Sequence, residues 1–237
     1  MKRLAGRIAL ITGASRGIGA AVAKRFAAEG AHVIAVARTV GALEELDDAV
    51  KAAGSTATLV PLDLRDLDRI DPLGPHLHQR FGRLDIMVAN AAMLGTLGPL
   101  AHQEPKEWDE ALRLNVSANW RLIRTLEPLL KLSDAGRAIF VSSSAARSAT
   151  PFWGAYCTTK AALEAMARVW ANELAKTPVR VNLVDPGATR TAMRANAFPG
   201  EDPLTLPAPE EITGIFVDLA SPTCTTSGET VRAYRKR

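Results

Sequence analysis

The chain has 237 residues, of which 47% are hydrophobic and 23% are charged, and its formal net charge at pH 7 is +4. These values fit one globular α/β domain spanning residues 1–237, and they exclude a disordered chain and a small disulfide-stabilised scaffold. The basic residues are spread along the chain, so we expect no nucleic-acid partner.

The cysteines and the hydropathy of the chain indicate whether to expect a metal site, a membrane span or a secretory signal. Cys157 and Cys224 form neither a Cys-x-x-Cys pair nor a cluster with histidines, so we predict no metal site. No apolar run approaches the roughly 20 residues that span a bilayer. The basic segment at residues 1–7 is not followed by the apolar region and cleavage site of a secretory signal. We therefore expect a cytoplasmic protein without a membrane partner.

Short apolar runs alternate with longer segments of helical periodicity, which is typical of βαβ units on a parallel sheet. The pattern predicts strands at 7–12, 32–37, 57–62, 84–89, 137–142 and 179–184, and helices at 18–29, 40–53, 66–81, 105–132 and 154–176. Residues 188–210, rich in proline and polar residues, are predicted to form a substrate-loop insertion before a last helix. The expected fold is a doubly wound parallel sheet, the Rossmann fold, with three α/β/α layers.

The first predicted strand is followed directly by a glycine-rich turn that opens the first helix. Glycines let the backbone turn tightly and approach a pyrophosphate, and the helix N-terminus supplies free N–H groups and partial positive charge. An alternative is a turn that packing alone requires. The sequence therefore predicts a dinucleotide site that includes Gly13, Ser15, Arg16, Gly17, Ile18 and Gly19.

The end of the second strand indicates which dinucleotide is bound. An acidic residue there suits an adenosine 2′-hydroxyl, whereas an arginine suits a 2′-phosphate. The strand ends at Arg38, and no acidic residue appears before Glu44. Arg16 can approach the same phosphate, so we predict NADP as cofactor, with NADPH preferred over NADH. The alternative is that both arginines are solvated surface residues.

Polar residues also follow the third and fourth strands. Asp63, which precedes Leu64, could accept a hydrogen bond from an adenine amino group or could cap the next helix, and the sequence favours neither. Asn90 and Ala91 come directly after the fourth strand, at the carboxyl end where open α/β sheets bind ligands. We expect Asn90 to be a structural and cofactor-side anchor.

A tyrosine and a lysine, Tyr156 and Lys160, lie four residues apart on one predicted helix and therefore share a face. A cation within a few Å of a phenol stabilises the phenolate and lowers the phenol pKa from its usual value of about 10. Such a pair can serve as a general acid near neutral pH. The spacing alone is common on surface helices, so the pair gains meaning only from the other motifs.

Taken together, the motifs resemble those of the short-chain dehydrogenase/reductase family over nearly the whole chain. The residues that match in order and spacing are 12–19, Asp63, Asn90, Ala91, Asn115, Ser143, Tyr156, Lys160, Pro186 and Gly187. The resemblance implies an NADP-dependent oxidoreductase that acts on a small carbonyl compound or alcohol. The sequence alone leaves a second possibility, a non-catalytic NADP-binding regulator on the same fold.

The resemblance implies a role for each catalytic residue. Ser143, thirteen positions before the tyrosine, would hold the substrate oxygen, and Tyr156 would pass it a proton. Lys160 would lower the pKa of the phenol and bind the nicotinamide ribose. Asn115 would anchor a water that connects Lys160 to solvent, or it is a paired core asparagine.

The sixth strand ends at Pro186 and Gly187, beside the nicotinamide that the resemblance implies. Thr189 and Thr191 follow, and Thr191 can bond the carboxamide. A simple turn remains the alternative for Pro186 and Gly187, because proline turns the chain and glycine permits close approach.

The substrate expected from the family is a ketone or a 3-oxo thioester. An apolar chamber is expected to be bordered by Leu94, Phe152, Trp153, Met193 and Phe198, and Arg194 either meets an anionic group or is solvated. We expect Trp108, Trp120 and Trp170 to be buried at helix packing faces.

The family also implies an assembly, a homodimer or homotetramer formed through the helices at 105–132 and 154–176. The chain departs from the family pattern at its end. Residues 227–232 replace the usual C-terminal strand, and residues 234–237 form a basic tail that we expect to be solvated.

Overall fold

Seven extended segments form one parallel sheet in the computed structural model, which describes residues 2–233. The order of the strands is β3-β2-β1-β4-β5-β6-β7, and every neighbouring pair is parallel. The strands are β1 (Ile8–Thr12), β2 (His32–Ala37), β3 (Ala57–Pro61), β4 (Ile86–Ala89), β5 (Arg137–Val141), β6 (Arg180–Asp185) and β7 (Thr230–Arg232). This is the doubly wound Rossmann fold that the alternating pattern predicts.

Helices cover both faces of the sheet. They are α1 (Gly17–Ala28), α2 (Val40–Ala52), α3 (Leu73–Phe81), α4 (Pro105–Leu112), α5 (Ala118–Lys131), α6 (Ala145–Ser148), α7 (Gly154–Glu173), α8 (Ala192–Ala197) and α9 (Thr213–Ala220). Short 3₁₀ turns lie at Leu67–Arg69, Leu100–His102, Pro203–Thr205 and Pro209–Ile212. Among the helices described within residues 2–233, none is long and apolar enough to cross a membrane.

Side chains that alternate along each strand divide the interior into two cores. In β1, Leu10 packs with α3, α5 and α7 on one face, whereas Ala9 and Ile11 pack with α1, α2 and α9 on the other. Successive side chains of a strand point to opposite faces, so a strand buried on both sides is apolar throughout. The result is the expected three-layer α/β/α arrangement.

Two predicted helices differ in detail from the observed ones. The helix predicted at 66–81 is broken, because Pro72 offers no backbone N–H and α3 begins only at Leu73. The helix predicted at 105–132 is interrupted at Arg113–Ser117, where the chain forms a π-helical turn between α4 and α5. Such turns widen the hydrogen-bonded ring by one residue.

Two expectations from the sequence were wrong. A seventh strand, β7, is present where the family strand was expected to be replaced, and it pairs with β6 at the edge of the sheet. Trp170 is buried as expected, but Trp120 is 49% exposed, with the guanidiniums of Arg121 and Arg124 within 6.0 Å of its ring centroid. The basic tail at 234–237 lies outside the described residues.

Helices α3 and α5 touch at a glycine, and this contact can be tested. A Cβ on Gly74 would lie 2.2 Å from the Thr125 carbonyl oxygen, whereas a Cβ on Gly214 would meet nothing within 4 Å. Both glycines are the second residue of a helix. We expect Gly74→Ala to lower the free energy of unfolding by about 1–3 kcal/mol through overpacking.

Gly214→Ala is the matched control, and it should leave that free energy unchanged or raise it by up to about 1 kcal/mol, because alanine favours helix over glycine. Urea denaturation of both variants measures the difference. Equal effects of the two substitutions would contradict the close contact between α3 and α5.

Candidate active site

The turns after β1 and β4 meet at the carboxyl edge of the sheet, because these strands are neighbours in space although far apart in sequence. The amide of Asn90 donates to the Thr12 carbonyl at 2.9 Å and to the Gly13 carbonyl at 3.3 Å. The Thr12 hydroxyl accepts from the backbone N–H groups of Asn90 and Ala91, both at 3.0 Å. Asn90 therefore anchors the glycine-rich turn, and its role beside the cofactor stays a prediction.

The glycine-rich turn can exist only without side chains at two positions. Gly13 has a left-handed φ of +63°, and a Cβ there would lie 2.8 Å from the Asn90 amide nitrogen. A Cβ on Gly19 would lie 2.2 Å from the Gly13 carbonyl oxygen. The turn therefore brings bare backbone and the N-terminus of α1 to the cleft, which is the arrangement that binds a phosphate.

A cleft of about 540 Å³ runs along this edge and gathers nearly all of the predicted site residues. Gly19 supports the turn from behind, and Asn115 is buried, so neither lines it. The predicted residues that do line it are Gly13, Ser15, Arg16, Gly17, Ile18, Arg38, Asp63, Leu64, Asn90, Ala91, Ser143, Tyr156, Lys160, Pro186, Gly187, Thr189 and Thr191.

One end of the cleft carries three guanidiniums. Arg16 and Arg38 are exposed there, and Arg65 lies beside them. Asp63 accepts from the Arg65 side chain, at 2.7 Å from Nη2, and from the Arg65 backbone N–H at 3.0 Å. The side-chain hydrogen bond from Arg65 holds the pKa of Asp63 below its usual range.

Asp63 therefore does not cap a helix, and its contact with an adenine amino group stays a prediction, because it lines the cleft and a carboxylate can accept several hydrogen bonds. It binds the arginine two residues later, and Arg38 Nη1 lies 4.0 Å away. Sequence reasoning missed Arg65 at this site. The signal that could have found it is the spacing of Asp63 and Arg65, because a carboxylate often bonds the backbone N–H two residues on.

The reacting end of the cleft contains Tyr156, Lys160 and Ser143. The Tyr156 side chain is almost fully buried, and the Ser143 side chain lies close enough to lower the pKa of the phenol. The neighbouring Ser142 is turned away, and its hydroxyl donates to Glu164 at 2.7 Å. The Ser142 hydroxyl is thus occupied within the fold, and the role of Ser143 stays a prediction.

The pKa of the phenol is shifted in the direction opposite to the one expected. Burial raises the pKa of Tyr156 to about 12, and the nearby Ser143 side chain acts against that rise. The ammonium of Lys160 does not meet the phenol oxygen: it donates to the Val141 carbonyl at 2.7 Å, with Nζ 5.6 Å from the Tyr156 ring centroid. Burial lowers the pKa of Lys160 to about 8.

Asn115 lies in the π-helical turn, with both ends of its amide occupied. Its Oδ1 accepts from the Met93 backbone N–H, and its Nδ2 donates to the Met93 carbonyl at 2.9 Å and to Thr159 Oγ1 at 3.0 Å. Its backbone carbonyl accepts from Asn119 at 2.8 Å. These bonds match the alternative interpretation, in which Asn115 is a paired core asparagine. Its amide joins the loop after β4 to α7.

A cluster of ion pairs lies behind the reacting end. Arg147 binds the buried carboxylates of Glu164 on α7 and Asp185 at the end of β6, the latter at 2.9 Å. Arg168 adds a second partner to Glu164 at 2.7 Å. The cluster therefore connects the serine turn, the tyrosine helix and the turn that begins at Pro186.

The turn after β6 uses one of its threonine hydroxyls internally. Thr189 Oγ1 donates to the Pro186 carbonyl at 3.1 Å, whereas Thr191 Oγ1 accepts from the Arg194 backbone N–H at 3.2 Å and caps α8. The Thr191 hydroxyl donates to no described residue, and Thr191 lines the cleft. Thr191 therefore keeps a donor for a ligand, whereas Thr189 stabilises the turn.

The expected apolar chamber is only partly present. Leu94, Trp153 and Met193 line the cleft, whereas Phe152 and Phe198 do not, and Phe152 is 60% exposed. Phe198 packs on Trp153 with ring centroids 5.6 Å apart, so it supports the chamber from outside.

Comparison with known proteins gives consistent matches. A family model described as short chain dehydrogenase matches residues 7–202. The uncharacterized oxidoreductase YciK of Escherichia coli (strain K12) is 39% identical over 216 residues, which cover 90% of this chain and 85% of that protein.

Solved structures match over almost the whole chain. A short chain dehydrogenase from Salmonella enterica subsp. enterica serovar Typhi str. CT18 has a TM-score of 0.95 at 36% identity, covering 99% of this chain and 98% of that chain. A chain from Escherichia coli CFT073, described as a short chain dehydrogenase and complexed with NADPH, has a TM-score of 0.95 at 37% identity and covers 99% of both chains.

The buried charge of Lys160 can be tested through the pH dependence of stability. Its pKa is lowered from 10.5 to about 8 in the folded chain, so between these values the unfolded chain binds more protons at this position. Stability from this group therefore rises with pH across that window. Relative to Lys160→Met, the wild type should gain on the order of 3 kcal/mol of unfolding free energy between pH 7 and pH 10.5.

Urea denaturation at a series of pH values measures this gain, and the difference between the two proteins cancels groups that titrate in both. Lys176→Met, at an exposed lysine, is the control and should leave the pH dependence unchanged. A difference between wild type and Lys160→Met that stays constant with pH would contradict the prediction.

Proposed function

Because the chain belongs to the short-chain dehydrogenase family, we propose that it is an NADP(H)-dependent oxidoreductase that reduces a ketone or 3-oxo thioester, or oxidises the corresponding secondary alcohol. The observation that carries the proposal is the buried Tyr156 phenol, which lines a cleft of about 540 Å³ together with Ser143 and Lys160. Both hydroxyls can donate to one substrate oxygen.

The raised pKa of Tyr156 suits reduction. A phenol with a pKa of about 12 keeps its proton at neutral pH and is therefore available as a general acid. A bound nicotinamide would supply the hydride. The alkoxide that then develops on the substrate is more basic than a phenolate, so proton transfer from Tyr156 to that oxygen is favourable. Ser143 orients the oxygen, and Lys160 stabilises negative charge near the phenol through its field.

The cleft fits the proposed cofactor. Any side chain at Gly13 or Gly19 would fill the turn, and the N-terminus of α1 supplies N–H groups for a pyrophosphate. Arg16 and Arg38 would hold the 2′-phosphate, with Arg65 beside them. Asn90, Pro186, Gly187 and Thr191 would border the nicotinamide half. The Escherichia coli CFT073 structure that this chain resembles holds NADPH, which supports NADP here.

The location and assembly of the protein stay predictions from the sequence. We propose a cytoplasmic homodimer or homotetramer formed through α5 and α7. In support, these helices present two large apolar side chains to solvent, Trp120 and Val169, which are 49% and 57% exposed.

The general acid is tested by removing one oxygen atom. Tyr156→Phe should lower kcat by about 10²–10⁴-fold, because a positioned general acid contributes that much. The dissociation constant for NADPH, measured by the fluorescence of the bound nucleotide, should stay within about twofold. Turnover is followed as NADPH oxidation against a panel of ketones, 3-oxo thioesters, quinones and sugars.

Tyr234→Phe is the matched control, since it removes the oxygen of the other tyrosine in the chain, and it should leave kcat unchanged. A wild-type protein that binds NADPH and turns over no carbonyl in the panel would favour the non-catalytic regulator instead.

The phosphate contact is tested at Arg38. Arg38→Ala should weaken NADPH binding by about 10–100-fold, because a hydrogen bond to a charged group contributes about 1.5–3 kcal/mol. NADH, which lacks the phosphate, should bind almost unchanged. Arg69→Ala removes an exposed arginine outside the cleft and controls for net charge. Tighter binding of NADH than of NADPH by the wild type would refute the preference.

A further inference from the structure

Arg194 is the cation that the 188–210 loop contributes to the cleft, and its charge is already neutralised. Its guanidinium binds Glu201 through two nitrogens, with Nε 2.6 Å from Oε2 and Nη2 2.7 Å from Oε1. This fork geometry occupies one edge of the guanidinium. Arg194 is therefore neither the solvated side chain nor the free anion contact that the sequence allowed.

The same ion pair positions an aromatic wall beside the reacting phenol. The guanidinium of Arg194 lies 3.6 Å from the centroid of the Phe198 ring. Phe198 packs on Trp153 at 5.6 Å, and Trp153 meets Tyr156 edge-on at 5.9 Å between centroids. Glu201, Arg194 and Phe198 thus hold the Trp153 indole where it lines the cleft next to Tyr156.

The other side of the cleft is apolar near the phenol and acidic farther out. Met93 and Leu94 line the cleft and also line an adjoining cavity of about 440 Å³. Glu107 and Glu110 line that cavity as well. These two carboxylates raise the cost of bringing an anion to this cavity, because like charges repel, and Arg65 Nη1, 3.7 Å from Glu110, offsets part of that charge.

We propose that the substrate is an uncharged carbonyl compound whose apolar body lies against Trp153, and that Glu201 determines this specificity by withholding Arg194 from anionic substrates. The inference rests on the proposed function of the Tyr156 site. It narrows the ketones and thioesters considered above to those without a charge near the carbonyl. Trp153 supplies a flat apolar surface for the substrate. Arg194, which is paired with Glu201, contributes nothing to the binding free energy of the substrate.

The proposal predicts a gain of function. Glu201→Gln removes the carboxylate that neutralises Arg194 and leaves a guanidinium beside Phe198, within reach of the cleft. A carboxylate-bearing substrate then gains a partner, whereas a neutral one does not. Arg194→Met removes the charge but keeps a side chain that can pack on Phe198, because thioethers contact aromatic rings favourably.

Two probes that differ in charge at the same position provide the test: methyl 4-acetylbenzoate, which is neutral, and 4-acetylbenzoate, which is anionic. Binding is measured by calorimetry with NADP⁺ present, and kcat/KM is measured by NADPH oxidation. The wild type should bind the ester at least tenfold more tightly than the acid. Glu201→Gln should reduce that ratio about tenfold by improving the acid.

The double variant Glu201→Gln/Arg194→Met should lose the gain, and Arg194→Met alone should keep the wild-type preference for the ester. Glu210→Gln removes an exposed carboxylate at the end of the same loop. It should change neither the ester-to-acid ratio of affinities nor the ester-to-acid ratio of kcat/KM.

Stronger binding of the acid by the wild type, an unchanged ratio in Glu201→Gln, or binding of neither probe would overturn the inference. If Glu201→Gln unfolded helix α8, the variant would bind the ester more weakly as well. Tighter binding of the acid with unchanged binding of the ester therefore indicates a change in specificity and not local unfolding. Failure of the proposed function gives a different result, because the binding ratios would follow the prediction while NADPH oxidation stayed absent with both probes.

Discussion

Arg147 binds two buried carboxylates, and the geometry of the whole reacting end depends on that interaction. Glu164 and Asp185 would be costly to bury alone, since an unpaired buried carboxylate destabilises a fold by several kcal/mol. Glu164 lies eight residues after Tyr156 on α7, and Asp185 directly precedes the turn at Pro186. One guanidinium therefore sets the tyrosine helix, the serine turn and the β6 turn in a fixed mutual arrangement.

The parts of the fold that follow from local rules could be predicted from the sequence. β2 has the predicted bounds, His32–Ala37, and the glycine-rich turn lies where a strand meets a helix. Parallel strands bring their carboxyl ends to one edge, so residues as distant as Arg16, Ser143 and Gly187 were expected in one cleft, and they line it. Ser143 was distinguished from Ser142 by its spacing from the tyrosine.

The parts that depend on distant contacts could not be predicted. The raised pKa of Tyr156 follows from its burial, and the Lys160 ammonium is held by the Val141 carbonyl; helical spacing indicates neither. The amide of Asn115 is occupied by Met93, a partner supplied by another loop. β7 is three residues long and carries too little periodicity to signal a strand. Arg194 belongs to the six-residue helix α8 and Glu201 to the irregular segment that follows it, and neither stretch is long enough for a repeating pattern to indicate a partner.

The strand order also shapes how the chain is made. β1 pairs with β2 on one side and with β4 on the other, and Ala9 lies opposite Ile86. On the ribosome, β1, β2 and β3 can pair once Pro61 has emerged, yet the second edge of β1 stays open until β4 has been synthesised. Such non-local pairing is slow and leaves a strand edge available to other chains. β1 therefore has the edge that is open longest during synthesis, although both of its edges are paired in the folded sheet.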